Sequence, residues 1–173
     1  LSCVGQIRPY KDIELACRAV AGLRPPVSLI VAGDAPLTGY FRRVRSHLEA
    51  LPAAVLIGRL LTDQEFADVI GASDVVLTPY RATTGSGAAL AALTLGRGVV
   101  ASNLPFFESL LADHPEAGRT FTAGDSSRFT EAIAAYLDIP VERRHAAARG
   151  LAGEFAWPRV IEPVTRIVDD WCR

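Results

Sequence analysis

The chain lacks methionine altogether, and among its 18 lysines and arginines lysine occurs once, at Lys11. It opens on Leu1-Ser2-Cys3-Val4-Gly5, in the manner of a strand already under way. Together these features read as a domain from a longer polypeptide. A preference for arginine codons accounts for the basic imbalance. It leaves Lys11 as a position where a slim ammonium on a flexible stem draws interest. Cysteine is scarce: Cys3, Cys17 and Cys172 are odd in number, widely spaced and without CxxC spacing. That excludes a disulfide framework and a zinc site, and the thiols read as reduced and buried in a cytoplasmic protein. The net charge is only −1, which argues against nucleic-acid binding through a basic surface. No apolar run approaches the ~20 residues of a membrane span, and the first residues form no signal peptide.

What is present is ample core material. Of 173 residues, 50% are hydrophobic and 21% charged, enough for one folded domain and too apolar for disorder. Short β-branched runs alternate with longer amphipathic ones. Strands are predicted at Ser2–Gly5, Val27–Ala32, Ala54–Ile57, Val75–Thr78, Val99–Ser102 and Arg119–Phe121. Helices are predicted between them at Lys11–Gly22, Thr38–Leu51, Thr62–Ala72, Ser86–Leu95 and Phe106–Leu111. This alternation implies an α/β fold, a Rossmann-like parallel sheet of about six strands with helices on both faces. Thr62-Asp63-Gln64-Glu65 has capping-box spacing. From Ser126 onward a helical C-terminal tail is expected, over Ser127–Tyr136, Val141–Phe155 and Pro158–Cys172, with Trp157 and Trp171 as core anchors.

In such a sheet, ligands sit beyond the carboxyl ends of the strands, where loops lead into helix N-termini. The first of these loops carries Arg8 and Lys11. Two cations beside a helix N-terminus raise a positive charge that is costly unless an anion arrives, so the pair reads as a diphosphate clamp or a solvated surface pair. The fourth loop carries Thr84-Gly85-Ser86-Gly87-Ala88. Its glycines allow close approach of a ligand, and Ser86 can cap the helix or donate to a phosphate. No lysine follows, so it is not a Walker loop. Gly33 follows the second strand, and Gly58, Arg59 and Leu60 follow the third, offering backbone groups to a flat ligand edge. Glu108, after the fifth strand, reads as a helix-start acid or a polar contact. His47, His114 and His145 lack metal-ligand spacing, and no nucleophile–base constellation can be assembled.

These residues occur in a familiar order: Gly5, Arg8 and Lys11; Val31-Ala32-Gly33-Asp34; Gly58-Arg59-Leu60; Ala72 to Tyr80; Ser86-Gly87; Gly96; Val99 to Ser102; Phe155-Ala156-Trp157. The chain resembles the C-terminal, donor-binding half of GT-B glycosyltransferases of the group 1, family 4-like kind. The resemblance implies that residues 1–173 bind a nucleotide-sugar donor, a UDP- or GDP-sugar, for transfer to a glycan or glycolipid acceptor. It implies that Arg8 and Lys11 contact the diphosphate without a metal or other cofactor. The Gly85-Ser86-Gly87-Ala88 amides would meet the phosphates, and Gly58, Arg59 and Leu60 would face the base. It further implies an N-terminal acceptor domain as partner, absent from this chain, and membrane-surface contact through that half. The full-length protein would then be cytoplasmic, peripheral at the inner membrane, and the fragment inactive alone.

The chain also departs from that pattern. The family's Glu-x7-Glu pair falls on Thr83 and Ala91, and Gly98 stands where proline is common. The family's sugar and ribose contacts therefore do not carry over, and its retaining stereochemistry is not implied here. Two alternatives stand beside the transferase: a degenerate, non-catalytic nucleotide-binding domain, and half of a GT-B-fold UDP-sugar epimerase.

Overall fold

The computed structural model describes residues 1–171. Its six strands form one parallel sheet in the order β3-β2-β1-β4-β5-β6. They are β1 Ser2–Val4, β2 Leu29–Ala32, β3 Ala54–Ile57, β4 Val75–Thr78, β5 Gly98–Ser102 and β6 Gly118–Phe121. The helices are α1 Ile13–Ala21, α2 Thr38–Glu49, α3 Asp63–Gly71, α4 Gly87–Thr94, α5 Pro105–Leu111, α6 Ser126–Leu137, α7 Val141–Glu154 and α8 Trp157–Trp171. The strand order reverses direction between β1 and β4. In open sheets of this kind, ligands bind beyond the carboxyl edge at such a switch point.

The side chains explain the two-sided burial. Successive strand residues point to opposite faces, and here both faces are apolar. Cys3, Leu29, Val31, Val75, Leu77 and Val100 join a core with α1, α2 and α6. Val4, Ala32, Val76, Val99 and Ala101 join a second core with α3, α4, α5 and α7. Cys3 and Cys17 lie inside the first core as free thiols. Cys172 falls outside the described residues.

Local chemistry sets the helix starts. The Thr62 hydroxyl accepts from the Glu65 amide while the Glu65 carboxylate accepts from the Thr62 amide, closing the expected capping box. Asp125 caps α6 by accepting from the amides of Ser127 and Arg128. The first helix differs from its sequence pattern. Pro9–Lys11 forms a tight 3-10 turn, and Asp12 follows with φ +45°, so α1 begins only at Ile13. Periodicity could not show this break, because Lys11 is buried beside the apolar residues that follow.

Gly98 now has a reason. A Cβ there would lie 1.8 Å from the Tyr136 hydroxyl and 2.4 Å from the Ala117 carbonyl. Tyr136 of α6 is fully buried against β5, and only a bare backbone lets the helix pack that closely.

The tail corrects one expectation. Trp157 and Trp171 are not core anchors: they are 71% and 85% exposed, and no residue of α8 is buried. Val160, Val164, Ile167 and Val168 share this exposure. The helix is strongly amphipathic, so its pattern is that of a buried surface. Its apolar stripe has no partner among the described residues. Pro158 sits in its first turn as predicted, and the predicted end at Cys172 lies outside the described residues.

Candidate functional site

The loops after β1 and β4 meet at the switch point and are tied together. The Arg81 amide donates to the Tyr10 carbonyl at 2.7 Å. The rings of Tyr10 and Tyr80 pack edge to face with centroids 5.6 Å apart. Tyr80 also takes Lys11, whose Nζ lies 5.5 Å from the ring centroid. Burial pushes the Tyr80 phenol up to about 12, opposed by its contact with the Ser86 hydroxyl. One aromatic ring thus links the cation of the first loop to the capping serine of the fourth.

Lys11 is not the solvated cation of a surface pair. It is 8% exposed, and its Nζ donates to the Val4 carbonyl at 2.9 Å. The space it occupies exists because Gly5 has no side chain: a Cβ there would lie 2.8 Å from Nζ. Burial lowers the Lys11 ammonium from 10.5 to about 8, and no carboxylate among the described residues offsets it. Its neighbour Arg8 is half-buried and extended, and it has no ion pair or side-chain hydrogen bond among the described residues. Gly33 closes the floor, with its own φ at +148° and the Gly5 backbone pressed against it.

On the fourth loop, Ser86 takes the capping role, its hydroxyl accepting from the Ala89 amide at 3.2 Å. Gly85 and Gly87 face open space: a Cβ at either would meet no atom within 4 Å. Nothing in the packing demands glycine at these positions. Thr83, standing where the family's acid would be, folds back onto Gly85, donating to its carbonyl and accepting from its amide. Thr84 is exposed, and Ala88 is half-buried in the first turn of α4.

Other predicted residues are placed elsewhere. Arg59 is engaged by Glu65 in a two-pronged pair at 2.8 and 2.6 Å. This pairing holds Glu65 at about 2, well below the ordinary carboxylate range. The Arg59 guanidinium is therefore spent on the first turn of α3, at the β3 edge of the sheet. Gly58 is required by packing, since a Cβ there would lie 2.3 Å from the Phe41 ring. Leu60 is 79% exposed. Glu108 lies in the first turn of α5 and lines a cleft of about 700 Å³ along β6, with Arg119, Arg128 and Glu131. That cleft is at the opposite edge of the sheet, with β5 between it and β4. The structure therefore gathers Arg8, Lys11, Gly33 and Thr84 to Ala88 around the switch point. It keeps Arg59 and Glu108 on the flanks.

Three contributors were given no role by the sequence pattern: Asp12, and Tyr80 and Arg81 at the start of the fourth loop. Asp12 carried a visible signal, an acid in front of a helix. Its partner is not local: Arg81 Nε donates to Asp12 Oδ2 at 2.8 Å across 69 residues.

The family model of the group 1 glycosyl transferases matches residues 1–138, from β1 through α6. The chain belongs to the group 1 glycosyl transferases. A curated relative, the GDP-mannose:glycolipid 4-beta-D-mannosyltransferase of Xanthomonas campestris, is 30% identical over 161 residues, 90% of this chain and 44% of the relative. HepE from Anabaena, solved in complex with UDP, superposes with a TM-score of 0.82 over 97% of this chain and 48% of its own, at 19% identity. The C-terminal domain of LpcC, a group 1 family protein from Francisella tularensis, superposes with a TM-score of 0.68 over 88% of this chain and 81% of that domain, at 17% identity. This group 1 chain thus spans less than half the length of the mannosyltransferase and has the fold of these two structures.

Proposed function

We propose that this group 1 domain binds the donor of a glycosyl transfer, a UDP- or GDP-sugar, through its diphosphate. The observation that carries the reading is the joining of the β1 and β4 loops at the switch point. Arg8 has no partner among the described residues, and the Gly85–Gly87 turn opens to solvent directly before a capped helix. Free amides at a helix start and an uncommitted guanidinium are complementary to an anion. In transfer, the leaving group is the nucleoside diphosphate, and stabilising its developing charge is the main electrostatic task. The Xanthomonas relative, named for GDP-mannose and a glycolipid acceptor, and the Anabaena structure with UDP support a nucleotide sugar as donor.

The acceptor and the remaining catalytic groups belong to a further, N-terminal half of the full-length protein, so this domain alone transfers no sugar. The exposed apolar stripe of α8 supports a protein surface as its neighbour. No described helix is long and apolar enough to cross a membrane, and we place any membrane contact on that other half, at the cytoplasmic face.

Calorimetric titration of the chain with GDP, UDP and ATP tests the reading. One of the two diphosphates should bind well above ATP. Arg8→Ala should weaken it by about 1.5–3 kcal/mol, roughly 10- to 100-fold, if the guanidinium bonds a phosphate. Equal affinities for all three nucleotides, or an unchanged Arg8→Ala variant, would remove the clamp.

A further inference from the structure

The mouth of the site holds a third cation. Arg81 follows β4 by way of Pro79 and Tyr80, and its side chain is 63% exposed. It is nevertheless anchored twice. Its amide is fixed to the Tyr10 carbonyl, and its Nε is fixed to Asp12 Oδ2 at 2.8 Å. Asp12 itself is 3% exposed and stands at φ +45°, a conformation that side-chain-bearing residues rarely adopt. Its second oxygen, Oδ1, is buried with no hydrogen-bond partner among the described residues. A buried carboxylate that accepts from one exposed arginine, on a backbone held in a sparsely populated region, is a costly arrangement. A salt bridge for stability alone does not require it, because a half-exposed ion pair contributes little.

The geometry of the guanidinium gives the arrangement a use. Nε is engaged, while Nη1 and Nη2 donate to no described residue. Arg59 is the contrast within this molecule, with both terminal nitrogens consumed by Glu65. Arg81 is a planar fork gripped by its shaft with both prongs free, which suits two-pronged recognition of a phosphate. The anchor also removes rotamer freedom before the ligand arrives, so less is lost on binding.

We propose that Arg81, held by Asp12, is a phosphate-binding side chain of this site that acts together with Arg8 and Lys11 on the diphosphate of the donor. The proposal rests on the donor-binding reading above. Asp12 is the positioning residue: it touches no ligand and fixes the direction of the fork. The pair also balances charge, because its carboxylate offsets one of three cations while the pocket is unliganded.

The test compares the full chain with Arg81→Gln, Arg81→Lys and Asp12→Asn by titration with GDP, UDP and the corresponding nucleosides, and records each thermal midpoint. Asparagine tolerates positive φ, so Asp12→Asn keeps the backbone and removes the charged anchor. The expected result is a 10- to 100-fold loss of diphosphate affinity in Arg81→Gln, with nucleoside affinity unchanged. Arg81→Lys should recover little of it, since an ammonium offers neither the Nε anchor nor the fork. Asp12→Asn should lose at least 5-fold although Arg81 is intact. Wild-type binding with Arg81→Gln within twofold of it would overturn the proposal and leave the donor reading standing. A fall in thermal midpoint with undiminished affinity would also overturn it, making the pair structural. A wild-type chain that binds no nucleoside diphosphate would overturn both.

Discussion

Lys11→Met is expected to make the domain more stable and less able to hold a diphosphate. The ammonium sits in the core under Tyr80 with one carbonyl partner and no carboxylate. Its displacement from 10.5 to about 8 corresponds to a penalty of about 3 kcal/mol on the charged form in the folded state. Methionine has similar length and no charge, but it leaves the Val4 carbonyl unpaired, which returns about 1 kcal/mol. The expected net gain is about 2 kcal/mol at pH 7, read from urea midpoints.

The pH dependence identifies the cause. Below about 8 the lysine is charged in both folded and unfolded chains, and the full penalty applies. Above 10.5 it is neutral in both. Between these limits the unfolded chain keeps a proton that the folded chain has released, so wild-type stability rises with pH through Lys11. Cys3 and Cys17 work in the opposite sense above pH 9, because burial pushes their thiols up to about 12. The wild-type curve therefore mixes the two effects, and the difference between wild type and Lys11→Met isolates the lysine. That difference should shrink from pH 8 to pH 10.5. A variant less stable than wild type at pH 7 would mean that the ammonium supports the fold. A destabilising cation kept beneath Tyr80, beside the two tied loops, is what retention for binding an anion would leave.

Gly33→Ala should do the reverse and cost the fold about 3 kcal/mol or more, the range of strained backbone plus a core clash. Its φ of +148° is reserved in practice for glycine, and a Cβ would lie 2.1 Å from the Gly5 carbonyl oxygen. That oxygen is backbone and cannot swing aside. Relief requires moving the end of β1 or of β2, and the two are bonded through the Gly5 amide and the Ala32 carbonyl at 2.9 Å. Moving Gly5 also disturbs the space that holds Lys11. Denaturation should show the lower midpoint, and any folded fraction should bind a diphosphate more weakly. A neutral Gly33→Ala variant would mean that the two loops slide past one another freely.

The pattern of the inner strands was legible because β2, β4 and β5 carry apolar residues toward both faces and end in turn residues. Val75 to Leu77 and Leu29 to Ala32 could not be buried in any other way. The capping box at Thr62 and the serine cap at Ser86 depend on spacings of three residues and were equally visible. What escaped was long-range. Arg59 looked available because its partner Glu65 was already assigned to the box, and the same carboxylate serves both. Asp12 and Arg81 are separated in sequence by β2, β3 and β4 and joined only by the switch in strand order. Trp157 and Trp171 carry a burial pattern that is real, but their helix turns it away from this domain. An amphipathic pattern states that a face is to be covered and does not name what covers it.

The two interior thiols have a practical consequence. Cys3 sits on β1 and Cys17 on α1, directly behind the loop that carries Arg8 and Lys11. Neither is a thiolate at neutral pH, so an alkylating reagent should reach them only when that strand–helix unit opens. With Cys172→Ser as background, the rate of iodoacetamide labelling becomes a clock for opening of the crevice floor. Saturating diphosphate should slow the clock.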